Sequence, residues 1–450
     1  MSIALTYEET IEYLFRKTTN FEHQGTAGYK PGMDTMLRLD AHFGHPHRQF
    51  RCIHVAGTNG KGSVSHTLAA VLQASGYRVG LYTSPHLVDF QERIRVNGQP
   101  IPHDYVVRFV EQEREYFETV KPTFFEIVTA MCFKYFCEQQ VEIAVVEVGL
   151  GGRLDSTNII HPMLSVVTNI SLDHTQLLGA TMAEIAWQKA GIIKPGVPCV
   201  VGEAVDATRP VFERVADEVG APLVFAEDEP IVTDAEPLAG GIKYRLANGM
   251  ELTGELQGAC QVKNTNTILC AVEQLAHAGV FALDGDEPVN DLASLHSVLN
   301  EAFLHVTRTT GLMGRWQVVG TCPTVICDAG HNVGAWEYLG HQLESYPCRE
   351  LHIVFGMMAD KAVDNVLKLL PRRAHYYWTK ADTHRAMNEE ALMRTAAQQG
   401  LHGSCFPSVQ EAFATAISQA DASDLVFVGG SCYVVAEFLK SWNAGAGIEA

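Results

Sequence analysis

The run His54-Val55-Ala56-Gly57-Thr58-Asn59-Gly60-Lys61-Gly62-Ser63 leaves this chain few architectures to choose from. Residues 52–56 form a short apolar run that reads as a buried strand. Residues 61–75 have helical spacing and are followed by Gly76, suited to a left-handed C-cap. Between them, glycines let successive backbone N–H groups converge on an anion at the positive end of the helix. Lys61 adds a point charge for β- and γ-phosphates. The general G-x-x-x-x-G-K-[ST] pattern is not met, because Val55 stands at its first glycine and Gly62 separates Lys61 from Ser63. A turn that only joins strand to helix is the competing explanation, and the lysine in a strand–loop–helix context argues against it. Thr58, Asn59, Gly60, Lys61, Gly62 and Ser63 are therefore expected to hold the phosphates of ATP.

The same alternation continues along the chain. Strands are expected at 78–83, 143–148 and 164–169, with a helix over 124–139, which suggests a mostly parallel sheet covered by helices. Residues 222–257 break the pattern: short strands and an Asn248-Gly249 turn suggest antiparallel hairpins at the edge of the first domain. Helices are expected over 262–278 and 289–303, and the polar segment 306–311 reads as an interdomain hinge. Strand–helix alternation then restarts, with strands at 323–328, 351–355, 375–379 and 425–428. A length of 450 residues exceeds one ordinary core. The expected fold is two α/β domains: a P-loop-type, mostly parallel sheet over 1–305, and a smaller Rossmann-like domain over 306–450.

Charge and cysteine usage exclude several classes. A net charge of −19 argues against phosphate-backbone binding, so no nucleic-acid partner is expected, and any anionic substrate needs local cations. No apolar run reaches the roughly 20 residues of a spanning helix, so no membrane partner is expected. The opening segment MSIALTYEETIEYLFRKT reads as an amphipathic helix rather than a signal peptide. Eleven scattered cysteines without a C-x-x-C pair point to reduced thiols and a cytoplasmic location.

Further blocks agree on one family. Gly57–Ser63 resembles the shortened phosphate loop of the Mur ligase superfamily. Thr83-Ser84-Pro85-His86-Leu87, Glu147–Asn158, Asn169–His174 and Lys189-Ala190-Gly191-Ile192-Ile193-Lys194-Pro195 narrow the resemblance to its folylpolyglutamate/dihydrofolate synthetase branch. Gly314-Arg315, Asp328-Ala329-Gly330-His331-Asn332 and Gly356–Lys361 continue it into the second domain. Two departures stand out: Cys260 occupies the usual histidine position of Gly-x-His-Gln-x-x-Asn, and Ala329-Gly330 inverts the usual Gly-Ala order.

The resemblance implies an ATP-dependent ligase that joins L-glutamate to dihydropteroate or a (tetrahydro)folate polyglutamate through an acyl phosphate, with ATP as co-substrate and two Mg²⁺ ions. It implies a monomer whose partners are small molecules. Ser84, Glu147 and His174 are implied metal ligands. Glu147 suits the role physically, being a lone acid in an apolar strand, whereas imidazole is an unusual Mg²⁺ ligand and a histidine satisfied by backbone is the alternative for His174. Asn264, Arg315 and Asp328 are implied to reach the nucleotide, Arg315 as a catalytic cation arriving from the second domain; a helix cap is the alternative for Asp328. Ala27, Gly28, Tyr29, Lys30, Thr123, Phe124, Phe125, Glu126, Leu154, Asp155 and Ser156 are implied around the pterin, although a phenylalanine at a helix start is more often core. Lys189 is implied to be a carbamate that supplies anionic oxygens to the second ion, the alternative being an unmodified lysine at a helix C-terminus. The catalytic set is then Lys61, Lys189, His174 and Arg315. Two other functions compete: another Mur-type amino-acid ligase, which would carry a further UDP-binding domain ahead of the loop, and a P-loop switch ATPase that hydrolyses ATP without a carboxylate acceptor.

Overall fold

The computed structural model describes residues 5–18, 30, 32–282 and 289–445. Its first sheet comprises β1 (Arg51–Ala56), β2 (Val79–Tyr82), β3 (Ile94–Val96), β4 (Gln99–Pro100), β5 (Ile143–Glu147), β6 (Leu164–Val167), β7 (Cys199–Val201) and β8 (Leu223–Phe225). They lie in the order β4-β3-β2-β5-β1-β6-β7-β8. All pair in parallel except β3 and β4, which form an antiparallel hairpin at one edge. Side chains alternate between two covered faces. Ile53, Val55, Ile143 and Val145 share one core with residues of the helix Lys61–Ala74, while Cys52, Ala144 and Val146 share another with the helix Phe124–Glu138. Burial on both sides explains why these strands read as unbroken apolar runs.

The antiparallel segment after β8 forms its own sheet of β9 (Val232–Leu238), β10 (Gly241–Leu246) and β11 (Glu251–Gly254). Asn248-Gly249 makes the turn before β11, with Gly249 at φ +84°. Ile242, Tyr244, Leu246 and Leu252 bury this sheet in the same core as the helices Gln261–His277 and His296–Leu304. Asn266 on the first of these helices fixes the junction. Its Oδ1 accepts from the N–H groups of Ile231 (2.8 Å) and Val232 (3.1 Å), and its Nδ2 donates to the Ala226 carbonyl (2.5 Å).

The second unit contains β12 (Gln317–Thr321), β13 (Thr324–Asp328), β14 (Leu351–Phe355), β15 (His375–Trp378), β16 (Gly403–Cys405) and β17 (Leu425–Gly429). The order is β12-β13-β17-β14-β15-β16, parallel apart from β12. The expected hinge at 306–311 is different from the sequence reading. Residues Val306–Thr310 form a short helix, and Thr310 Oγ1 lies 2.7 Å from Nδ1 of His66 on the helix that follows the phosphate loop. This packing leaves the segment with the first unit, so the chain crosses over after Gly311, which caps the short helix at φ +73°. The helix expected from 289 begins only at His296.

Asn266→Ala would leave two buried N–H groups and one carbonyl without partners. At about 1–3 kcal/mol per unsatisfied buried group, the first urea-unfolding transition should lose about 3 kcal/mol, read from its midpoint.

Candidate active site

The C-terminal ends of β1, β2, β5 and β6 converge where open parallel sheets collect ligands. After β1 the chain makes its phosphate loop. A Cβ on Gly57, at φ +150°, would lie 1.9 Å from Thr168 Oγ1, and that hydroxyl donates to the Asn59 carbonyl at 2.5 Å. The N–H groups of Thr58 and Asn59 donate to Asn169, to its backbone carbonyl and its side-chain Oδ1. A Cβ on Gly60, at φ +82°, would lie 2.4 Å from Asn264 Oδ1. The segment after β6 thus clamps the loop from below.

Two clefts meet at Lys61. One is lined by Thr58–Ser63, Ser84, Glu147, Asn264, Arg315 and Asp328, so every residue expected to contact ATP faces it. Arg315 arrives from the second domain: its Nη2 would be 3.2 Å from a Cβ on Gly62, so the absence of a side chain there lets the guanidinium lie over the helix start. Gln261 links the hydroxyl and amide of this wall, donating to Ser63 Oγ and accepting from Asn264 Nδ2. Asp328 accepts from the N–H groups of Trp316 (2.7 Å) and Gly330 (2.8 Å), which straps the Arg315 segment to the end of β13. Cys260 also lines this cleft.

The other cleft is lined by Lys30, Thr123, Phe124, Phe125, Leu154, Asp155, Ser156, His174 and Lys189, with Lys361 and Arg385 from the second domain. Ala27, Gly28 and Tyr29 lie outside the described residues. Glu126 does not line this cleft. It accepts from the Thr123 N–H at 2.7 Å, while the Thr123 hydroxyl accepts from the Glu126 N–H, a reciprocal capping box at the helix start. Phe124 belongs mainly to the core, 1% exposed and stacked on Phe15. Asp155 is also committed: it accepts from the Leu150 N–H and from the N–H and hydroxyl of Thr157, shaping the cleft wall.

Electrostatics single out three groups. Burial raises Glu147 to about 7 despite the nearby charges of Lys61 and Arg315 and a hydrogen bond from the Ser84 N–H. A buried carboxylate held by a backbone N–H at the end of an apolar strand is a hard-oxygen donor that fits Mg²⁺. His174 faces the second cleft rather than the first. Burial, reinforced by the Lys361 charge, lowers it to about 3, which leaves the imidazole neutral and able to ligate. Lys189 and Lys61 both donate to the Gly57 carbonyl, at 2.7 and 3.1 Å. Burial and the neighbouring Lys61 charge lower Lys189 to about 7. Among the described residues, no group of three or more His, Cys, Asp or Glu side chains forms a metal cluster.

The sequence offers Asp173 and Lys361 no role and gives His331 and Asn332 only that of caps for the following helix, which Asn332 is. Asp173 accepts from Lys361 Nζ (2.5 Å) and Asn332 Nδ2 (3.1 Å), and His331 Nε2 lies 3.3 Å away. All three reach it from the second domain.

Comparison with known proteins agrees with this geometry. Residues 55–201 match the Mur ligase middle domain, and residues 314–432 match the Mur ligase glutamate ligase domain. A probable bifunctional folylpolyglutamate synthase/dihydropteroate synthase from Haloferax volcanii is 34% identical over 98% of this chain, and the chain spans 51% of that protein's length. The dihydrofolate synthase/folylpolyglutamate synthase of Bacillus subtilis is 32% identical over 92% of this chain and 95% of its own. The structure of Escherichia coli FolC in complex with DHPP and ADP is 30% identical, covers 98% of this chain and 99% of its own, and superposes with a TM-score of 0.81. With identity sustained over both domains and a shared fold, the chain belongs to the folylpolyglutamate synthase/dihydrofolate synthase family of Mur-type ligases.

Proposed function

We propose that this chain is the ATP-dependent amide ligase that adds L-glutamate to dihydropteroate, to a (tetrahydro)folate polyglutamate, or to both. The observation that carries the reading is the meeting of two clefts at Lys61, one built for polyphosphate and the other walled by aromatic and cationic side chains. A switch ATPase would have no use for the second cleft.

In the first step, a substrate carboxylate oxygen bonds to the γ-phosphorus of ATP as the bond to the β–γ bridging oxygen breaks, giving an acyl phosphate and ADP. Lys61 and Arg315 approach the transferred group from opposite domains and offset its charge. Ser84 lines both clefts, Glu147 the first and His174 the second; where the clefts meet they would hold Mg²⁺, which supplies charge to offset phosphate oxygens, and Lys189 as its carbamate would serve a second ion. In the second step, the glutamate amine bonds to the acyl carbon and phosphate leaves. Lys361 and Arg385 line that side of the cleft, Lys361 paired with Asp173 and Arg385 with Asp360 (2.6 Å), so the carboxylates of an incoming glutamate would share these cations with the protein's own acids. Closure of the second domain excludes water that would otherwise hydrolyse the acyl phosphate.

The Lys189 assignment has a physical motive beyond resemblance. Two ammonium groups sharing one carbonyl repel each other, and an amine that is half neutral near pH 7 can add to CO₂, losing a proton and becoming an anionic carbamate.

Lys61→Ala should lower turnover about 100-fold or more, since one oriented donor to a transition-state oxyanion is worth about 3 kcal/mol. The assay is phosphate release with ATP, dihydropteroate and glutamate together against each alone. Near-normal rates in a folded variant would sink the assignment. Lys189→Arg should be inactive although it keeps the charge, and Lys189→Ala should regain activity with added acetate. A charge-pair role would give the reverse order.

A further inference from the structure

The second domain touches the phosphate loop at two places: Arg315 over Gly62, and Asn332 against Asn59. The latter contact is a two-way amide pair. Asn59 Nδ2 donates to Asn332 Oδ1 at 3.1 Å, and Asn332 Nδ2 donates back to Asn59 Oδ1 at 2.9 Å. The remaining amide hydrogens are also used, from Asn59 to Ser171 Oγ (3.1 Å) and from Asn332 to Asp173 Oδ2 (3.1 Å). Asn332 Oδ1 accepts a further bond from the Ala335 N–H at 3.0 Å, which caps the helix Val333–Ser345. Two amides saturated in this way have one workable geometry, and rotating either domain breaks several bonds at once.

The backbone of Asn59 is fixed from within the first domain by Asn169 and Thr168. Its side chain is thus a rigid extension of the loop toward the second domain. Gly334 is shaped to receive it. A Cβ there would lie 2.9 Å from Ser171 Oγ and 3.1 Å from Asn59 Nδ2, so the close approach needs a bare position in the first turn of the helix.

We propose that Asn59 and Asn332 form a closure latch, a positioning pair that seats the second domain on the phosphate loop and thereby sets Arg315 above Gly62. The latch governs the rate of phosphoryl transfer more than nucleotide affinity. It rests on the ligase reading for its effect on turnover, while its effect on domain closure stands independently.

Three variants of the full chain test it. Asn332→Ser keeps an oxygen for the helix cap but removes the amide, Asn59→Ala removes the other half, and Gly334→Ala pushes the partners apart. Steady-state assays use ATP, glutamate and dihydropteroate. Small-angle X-ray scattering with a non-hydrolysable ATP analogue reports closure. Each variant should lower kcat about 10-fold while the KM for ATP moves much less, and the Asn59→Ala/Asn332→Ser double variant should be no slower than the slower single. The radius of gyration with the analogue should be larger than for the unmodified chain. Gly334→Ala favours the helix itself but presses on Ser171 and Asn59 across the domains, so it should lose turnover and scatter as the opened form; lost turnover without opening would count against the latch. Unchanged kcat and scattering in Asn332→Ser would overturn the latch, as would effects of the two singles that multiply. If the unmodified chain forms no glutamyl product but the variants still open, the ligase reading falls and the latch stands.

Discussion

The working arrangement of this molecule depends on one carboxylate, Asp173. It projects from the first domain, just beyond β6, with a side chain only 9% exposed, and takes Lys361, His331 and Asn332 from the second domain. Burial opposes its charge, but the hydrogen bond from His331 and the charge of Lys361 outweigh that cost and hold the carboxyl well below the usual range. A buried charge of this kind is stable only while its partners stay in place. Residues of both domains line the two clefts, and Arg315 reaches over Gly62 from the second domain.

The elements that were legible in the sequence are those whose physics is local. The loop announced itself through closely spaced glycines and one lysine, and the central strands through apolar runs that burial on both faces demands. Strands β12 and β16 gave no such signal because they are edge strands whose side chains stay half-buried or exposed. The helix at 306–310 looked like a hinge because its residues are polar, yet Thr310 is buried by a long-range hydrogen bond to His66. Glu126 shows how a local signal can be outweighed. Thr123-x-x-Glu126 is a capping-box spacing readable in the sequence, and family resemblance drew attention to the ligand instead. The pairs that close the site, 59 with 332 and 173 with 361, are separated by more sequence than any periodicity can bridge.

The strongly negative chain and its anionic substrates are reconciled by placement rather than composition. Lys30, Lys61, Lys189, Lys361, Arg315 and Arg385 all face the two clefts, drawn from both domains. All but Lys30 are buried or half-buried, and there less solvent screens the charge than at the open surface. The same crowding destabilises some of the charges it gathers, and Lys189, buried beside Lys61, shows that strain most clearly.

The inverted pair Ala329-Gly330 constrains a side chain of the second core. A Cβ on Gly330 would lie 2.5 Å from Leu339 Cδ1 and 3.1 Å from Asp328 Oδ1, and Leu339 is itself buried against the core of the second domain. Exchanging the two residues back to the order usual in the family would therefore force a methyl group into an occupied space. Leu339 would have to turn its tip aside to admit it, so the order of two loop residues decides which rotamer a core leucine can hold.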